Sequence, residues 1–137
     1  MQNGRERGIK EENEMIITIC KSFEFHAAHC LPDHEGKCKN LHGHTYLLQV
    51  EVSGPTKTAG SQSGMIMDFG ELKKVVEEQV LTKVDHCNLN DVLPITTAEY
   101  MVYSIRGWIR DCLPVDVELE RIRLYETGTS YAEWRRT

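Results

Sequence analysis

Apolar and polar positions alternate most cleanly between Leu41 and Ser53. The even positions are His42, His44, Tyr46, Leu48, Val50 and Val52; the odd ones include Thr45, Gln49, Glu51 and Ser53. A period of two marks a strand with one covered face. It sets two histidines at the mouth of that face, where the apolar run stops. An earlier run from Met15 to Phe25, with Ile17, Cys20 and Phe23 among polar residues, predicts a second strand. Its alternation is imperfect, so β-branched and aromatic content carries the assignment. Ala27 to Lys39, with Pro32, Asp33 and Gly36, reads as a loop, and Gly54 to Gly64 as a turn-rich connection.

Beyond residue 65 the period changes. Met65 to Met67 reads as a short returning strand, and Asp68-Phe69-Gly70-Glu71 has the form of a capping box opening a helix. Leu72, Val75, Val76 and Val80 then share one helical face, ending near Lys83. Asp85 to Asp91 is loop-like. Thr96-Thr97-Ala98-Glu99 repeats the start signal, and Met101, Ile105, Trp108, Ile109 and Cys112 follow at helical spacing until Pro114. Asp116 to Glu126 predicts the last strand, with Ile122, Leu124 and Glu126 on one face and Arg121, Arg123 and Tyr125 on the other. Gly128 breaks it, leaving a short polar tail from Ser130. Helices cluster instead of alternating with strands, which predicts an α+β fold on an antiparallel sheet.

The chain has 137 residues, enough for one domain and one core. A net charge of −5 argues against a general nucleic-acid binder. Residues 1–14 are polar and read as a disordered extension without a signal-peptide core, so 15–137 is taken as the domain. No apolar run approaches a membrane span. Five cysteines, odd in number and without a CxxC pair, suit a reducing cytoplasm.

The chemistry concentrates in Cys38-Lys39-Asn40-Leu41-His42-Gly43-His44. Imidazoles at i and i+2 of a strand point the same way, so one ion can be held by both. Catalytic zinc commonly takes three protein ligands and keeps one open position. His29 is the third ligand expected; His26 and His34 compete, with His34 placed in a solvated loop. Cys38, flanked by two lysines, is a fourth ligand, an inert thiol, or a reactive thiolate. The Asp85-His86 pair reads, from the residues alone, as an ordinary loop carboxylate beside an exposed imidazole. Glu126, at the end of an apolar strand face, is either a rim ion pair or an acceptor for the amidine edge of a flat heterocycle. Asp68 and Glu99 are assigned to caps, and Cys20 and Cys112 to the core.

As a set, Phe25-His26-Ala27-Ala28-His29, Cys38 to His44, Met67-Asp68-Phe69, Asp85-His86, Leu89-Asn90-Asp91, Thr97-Ala98-Glu99 and Tyr125-Glu126-Thr127 resemble the 6-pyruvoyl-tetrahydropterin synthase superfamily. The short Cys38-to-His42 spacing resembles its 6-carboxy-tetrahydropterin synthase branch, of the queuosine pathway. The resemblance implies the tunnelling fold (T-fold), a four-stranded antiparallel sheet with two helices on one face. It also implies a homo-oligomer, commonly a hexamer, with active sites between subunits. By the same resemblance Zn2+ is held at His29, His42 and His44, with Cys38, Asp85 and His86 catalytic and Glu126 anchoring the pterin of 7,8-dihydroneopterin triphosphate. Lys37, Lys39 and Arg106 are candidate triphosphate partners. The competing expectations are a pyruvoyl product, a three-histidine zinc hydratase or hydrolase that needs no thiol, and a metal that only stabilises an oligomer.

Overall fold

The computed structural model describes residues 15–137; the expectation for residues 1–14 lies outside them. Two long antiparallel strands, β1 (Ile16–His29) and β2 (His42–Pro55), form the centre and pair in register along their whole length. The two-residue β3 (Cys87–Asn88) lies parallel to the end of β1. On the other side β4 (Glu118–Thr127) pairs antiparallel with β2, and β5 (Ser130–Arg135) folds back on β4, giving the order β3-β1-β2-β4-β5.

Two helices cover one face. Helix α1 begins as Phe69–Val76, widens into a π turn over Glu77–Leu81 and closes with Thr82–Val84. Helix α2 is Ala98–Arg110. Leu72, Val76 and Val80 of α1, and Met101, Ile105 and Ile109 of α2, meet Phe23 and Phe25 of β1, Tyr46, Leu48 and Val50 of β2, and Ile122 and Leu124 of β4. The alternation read from the sequence is therefore the core itself. Even positions of β2 from Tyr46 to Val52 are buried, while on β1 the odd positions from Phe23 to His29 are.

The uncovered face is polar. Arg121 donates there to Glu51 (2.8 Å), Gln49 (3.4 Å) and Glu133 (3.4 Å), and Arg123 donates to Glu133 at 2.7 Å. Such side chains keep a face hydrated that would otherwise be an apolar liability.

Several expectations need correction. The predicted loop begins too early: Ala27, Ala28 and His29 belong to β1, because β2 pairs with them as far as His29↔His42. Met65–Met67 forms no strand. The stretch after α1 contains β3 and a 3-10 turn, Leu89–Asp91. The polar tail is a fifth strand, stabilised by Arg123 over the Tyr131 ring (4.3 Å) and Arg106 over Trp134 (4.8 Å). Asp68 does cap α1, accepting from the Gly70 amide at 2.6 Å, but Glu71 turns to Gln62 instead of closing the box. Thr97, not Thr96, caps α2, accepting from the Tyr100 amide at 3.2 Å. Cys20 and Cys112 are exposed; Cys20 falls on an even β1 position, which faces away from the helices.

Two substitutions check this packing. Leu48→Ala, at a fully buried position, is expected to lower unfolding free energy by about 2–5 kcal/mol in urea titrations. Cys112→Ser should change it by less than about 0.5 kcal/mol, as exposed sites do.

Candidate metal centre

Where β1 ends against the start of β2, the ladder pairs Ala27 with His44 and His29 with His42. Cross-strand partners share a face, so the three imidazoles meet on the helix-covered side. One ring nitrogen of each of His29, His42 and His44 lies within 4.8 Å of the others, and among the described residues no other group of this kind forms. The ring centroids stand 4.6–5.2 Å apart, all three pairs edge to face.

Backbone carbonyls fix two of the rings. The Nδ1–H of His29 donates to the Thr96 carbonyl at 2.9 Å, and that of His42 to the Asn40 carbonyl at 2.7 Å. A carbonyl only accepts, so the proton must sit on Nδ1, and a neutral ring then presents an Nε2 lone pair. This is the arrangement that orients metal-bound histidines. The Nε2 atoms of His29 and His44 are buried and have no hydrogen-bond partner.

Glu126 closes the group, 3.9 Å from Nε2 of His29 and 3.6 Å from Nε2 of His44. A lone pair facing a carboxylate is repulsive unless a proton, a cation or a donor lies between. Protonation is resisted at His44. Burial lowers its affinity for a proton below the usual imidazole range; Glu126 opposes that, and His29 and His42 reinforce it. The buried donor set thus fits a divalent cation, and three imidazoles suit zinc. Beside Glu126 a cavity of about 640 Å³ opens between α2 and β5, lined by Glu99, Val102, Tyr103, Tyr131 and Trp134 among others. Tyr46, fully buried below His44, also has an unpartnered hydroxyl.

The other predicted residues are not gathered at this point. Cys38 sits half-buried in a 3-10 turn, Lys37–Lys39, outside the three-imidazole group. That turn is tied back by the Leu31 amide donating to the Cys38 carbonyl at 2.7 Å. His34 is also absent from the group and accepts from the Gly36 amide at 2.9 Å. His26 projects from the opposite face of β1, its Nδ1 3.1 Å from the Thr45 hydroxyl.

Asp85 and His86 lie beside His26, on that opposite side. Neighbours in sequence are not expected to bond each other easily, yet Asp85 Oδ1 accepts from His86 Nδ1–H at 2.8 Å. His86 takes a left-handed backbone (φ 57°), unique among the described non-glycine residues, as the chain turns there. Its amide donates to the His26 carbonyl at 2.6 Å, and the His26 amide donates to Asp85 at 3.0 Å. The His26 amide holds the Asp85 carboxyl below the usual range, assisted by His86 and opposed by burial. A carboxylate on Nδ1 leaves Nε2 of His86 free to take a proton, the geometry of an oriented base. The open cavity beside it, about 570 Å³, includes His26, Thr45, His86 and Asn88 in its lining.

The residues that sequence reasoning missed are Thr96 and Asn40, whose carbonyls accept from His29 and His42. Only the Asn40-to-His42 spacing of two offered a signal, since a carbonyl belongs to every residue type.

A covered sheet carrying an inward-facing set of histidines at one end defines a class, the tunnelling-fold enzymes that resemblance already implied. The chain belongs to the 6-pyruvoyl tetrahydropterin synthase family, whose pattern it matches over residues 18–137. It is 47% identical to the 6-carboxy-5,6,7,8-tetrahydropterin synthase of Synechocystis, covering 85% of this chain and 91% of that one. It is 42% identical to the dihydroneopterin monophosphate aldolase of Pyrococcus furiosus, over 82% of this chain and 91% of that protein. The fold overlays the Caenorhabditis elegans 6-pyruvoyl tetrahydropterin synthase with a TM-score of 0.77 at 26% identity, covering 91% of this chain and 99% of that one.

The pH dependence of the metal-free protein follows. Folding lowers the proton affinity of His44, so below about pH 6.5 the unfolded chain binds the proton first. Stability should be full above that pH and fall as acid is added. The Asp85 shift adds a further loss below about pH 3.9. Thermal melts from pH 8 to 5 should show the first decline, flattened in His44→Gln.

Proposed function

We propose that this enzyme is a zinc-dependent 6-carboxy-tetrahydropterin synthase of the queuosine (7-deazaguanine) pathway. On this reading it converts 7,8-dihydroneopterin triphosphate and one water to 6-carboxy-5,6,7,8-tetrahydropterin, acetaldehyde and triphosphate. The single observation that carries the proposal is the convergence of three imidazole nitrogens beside Glu126, two of them buried and unpartnered. The 47% identical relative of that name supports the choice of product.

His29, His42 and His44 hold the ion. When bound, zinc supplies Lewis acidity toward the hydroxyls of the substrate's side chain. Glu126 accepts from the amino and ring N–H groups of the pterin, a two-point charge-assisted contact that orients the bicycle in the adjoining cavity. The Cys38 thiolate takes the proton from carbon. His86 relays protons through Nε2 while Asp85 holds the ring in place. The carboxylate–imidazole pair lies across the sheet from the metal ligands of its own chain. The working site therefore joins residues of two copies, in a cytoplasmic homo-oligomer.

The relative from Pyrococcus furiosus favours a second reading, an aldolase acting on dihydroneopterin monophosphate. A pyruvoyl-forming synthase is a third. Incubation with dihydroneopterin triphosphate and, separately, its monophosphate, with assay of acetaldehyde and of substrate consumed, separates all three: the proposed enzyme releases acetaldehyde from the triphosphate and stops when chelated, an aldolase prefers the monophosphate, and a pyruvoyl-forming enzyme consumes the triphosphate and releases none. Cys38→Ala is expected to lower kcat by about 10²–10⁴-fold, the range for a lost acid–base group. A zinc hydrolase would keep its rate.

The shared site has its own test. Cys38→Ala and His86→Ala homo-oligomers, each inactive, should recover activity when unfolded together and reassembled. Mixing without recovery would place both groups in one chain's site.

A further inference from the structure

We propose that Asn90 is a positioning residue for His29: its carboxamide replaces the strand neighbour missing at the end of β1 and thereby fixes the direction of the His29 ring. The inference rests on the metal-centre reading above.

Strand β1 has neighbours on both sides only near its end. It pairs with β2 as far as His29↔His42, and with β3 at Ala27 and Ala28 alone. After Asn88 the chain leaves the sheet for the turn Leu89–Asp91, so no backbone group continues the ladder toward Cys30. The Asn90 side chain does so instead. Its Oδ1 accepts from the Cys30 amide at 2.8 Å, and its Nδ2 donates to the Cys30 carbonyl at 3.0 Å. That is the donor–acceptor pair a strand would present, and a carboxamide alone among side chains of this length supplies both at once.

Asn90 is itself held. Its amide donates to Asn88 Oδ1 at 3.0 Å, and Leu89 beside it is fully buried. The Cys30 carbonyl also accepts from the Thr96 hydroxyl at 3.3 Å, and the Thr96 carbonyl takes the Nδ1 proton of His29. Asn90, Thr96, Cys30 and His29 thus form one hydrogen-bonded unit. Its output is a His29 ring, 1% exposed, with Nε2 facing His44 and Glu126. His44 lies within the ladder of β2, whereas His29 and His42 are the terminal pair of theirs, and His29 is the last residue of its strand. Without Asn90 the Cys30 amide is unpartnered and the strand end is free to fray.

The test measures Zn2+ affinity of the purified protein by competition with a chromophoric chelator, and the Co2+ absorption spectrum as a reporter of ligand geometry. Asn90→Ala is expected to bind Zn2+ about 10–100-fold more weakly, the cost typical of removing a group that orients a ligand, and to alter the Co2+ spectrum. Should it not fold, Asn90→Asp, equal in size but lacking the donor, decides. Ile109→Ala, about 18 Å along α2 from its capped end at 1.5 Å per residue, controls for general destabilisation and should keep wild-type affinity and spectrum. Wild-type affinity and spectrum in folded Asn90→Ala, or in Asn90→Asp if that variant is used, overturn the inference alone. Equal weakening in Ile109→Ala also overturns it, because the effect would then be one of stability. Wild-type protein that takes up no divalent metal overturns the metal-centre reading and this inference with it.

Discussion

The register between β1 and β2 is the constraint on which the rest depends. Pairing His29 with His42 and Ala27 with His44 puts three imidazoles on one face. Side chains alternate with period two, so a slip of one residue would send His42 and His44 to the opposite side. What forbids the slip is the core. Tyr46, Leu48, Val50 and Val52 would leave it together, and the stacked pair Phe25–Tyr46, with centroids 4.8 Å apart, would separate. The same alternation therefore buries the apolar residues and aims the three imidazoles. The three-histidine group sits where that pattern ends, at the edge of the core.

This explains why some features were legible in the sequence and others were not. Strand β2 and both helix faces announce themselves through periodic burial, and His42-Gly43-His44 takes its meaning from that period. The end of β1 is different. Ala27, Ala28 and His29 carry weak strand preference and precede a proline-containing turn, yet two neighbouring strands capture them. Strand β5 has two charged and two aromatic residues among its six, and its stability comes from Arg123, Glu133 and Trp134 contacts made only after folding. The two residues of β3 are too few to show any period. Cys20 and Cys112 show the opposite failure, since each was assigned to the core on a pattern it only grazes.

At the site, residue types were legible and orientation was not. Three histidines can be counted in a sequence, but the carbonyls of Thr96 and Asn40 that select their tautomers have no signature there. The bond between Asp85 and His86 depends likewise on a left-handed backbone at a non-glycine residue, which nothing local requires. Both cases have one physical origin. The main chain, through a carbonyl in the first case and a turn in the second, brings the partners together, and its position is set by tertiary pairing.

The same alternation also divides the chemistry. His26 and His29 are three residues apart on one strand, so their side chains leave opposite faces of the sheet. The carboxylate–imidazole pair built around His26 accordingly lies on the other face of the sheet from the three-histidine group. Glu126 and its cavity stand on the metal side. On the proposed reading a substrate seated there would meet His29, His42, His44 and Glu126 of one chain, while His86 of that chain faces elsewhere. If both groups serve one reaction, the sheet must curve with its neighbours until the base of one copy reaches the cavity of the next. Assembly then becomes a condition for catalysis set by strand geometry, independent of how much stability the interface adds.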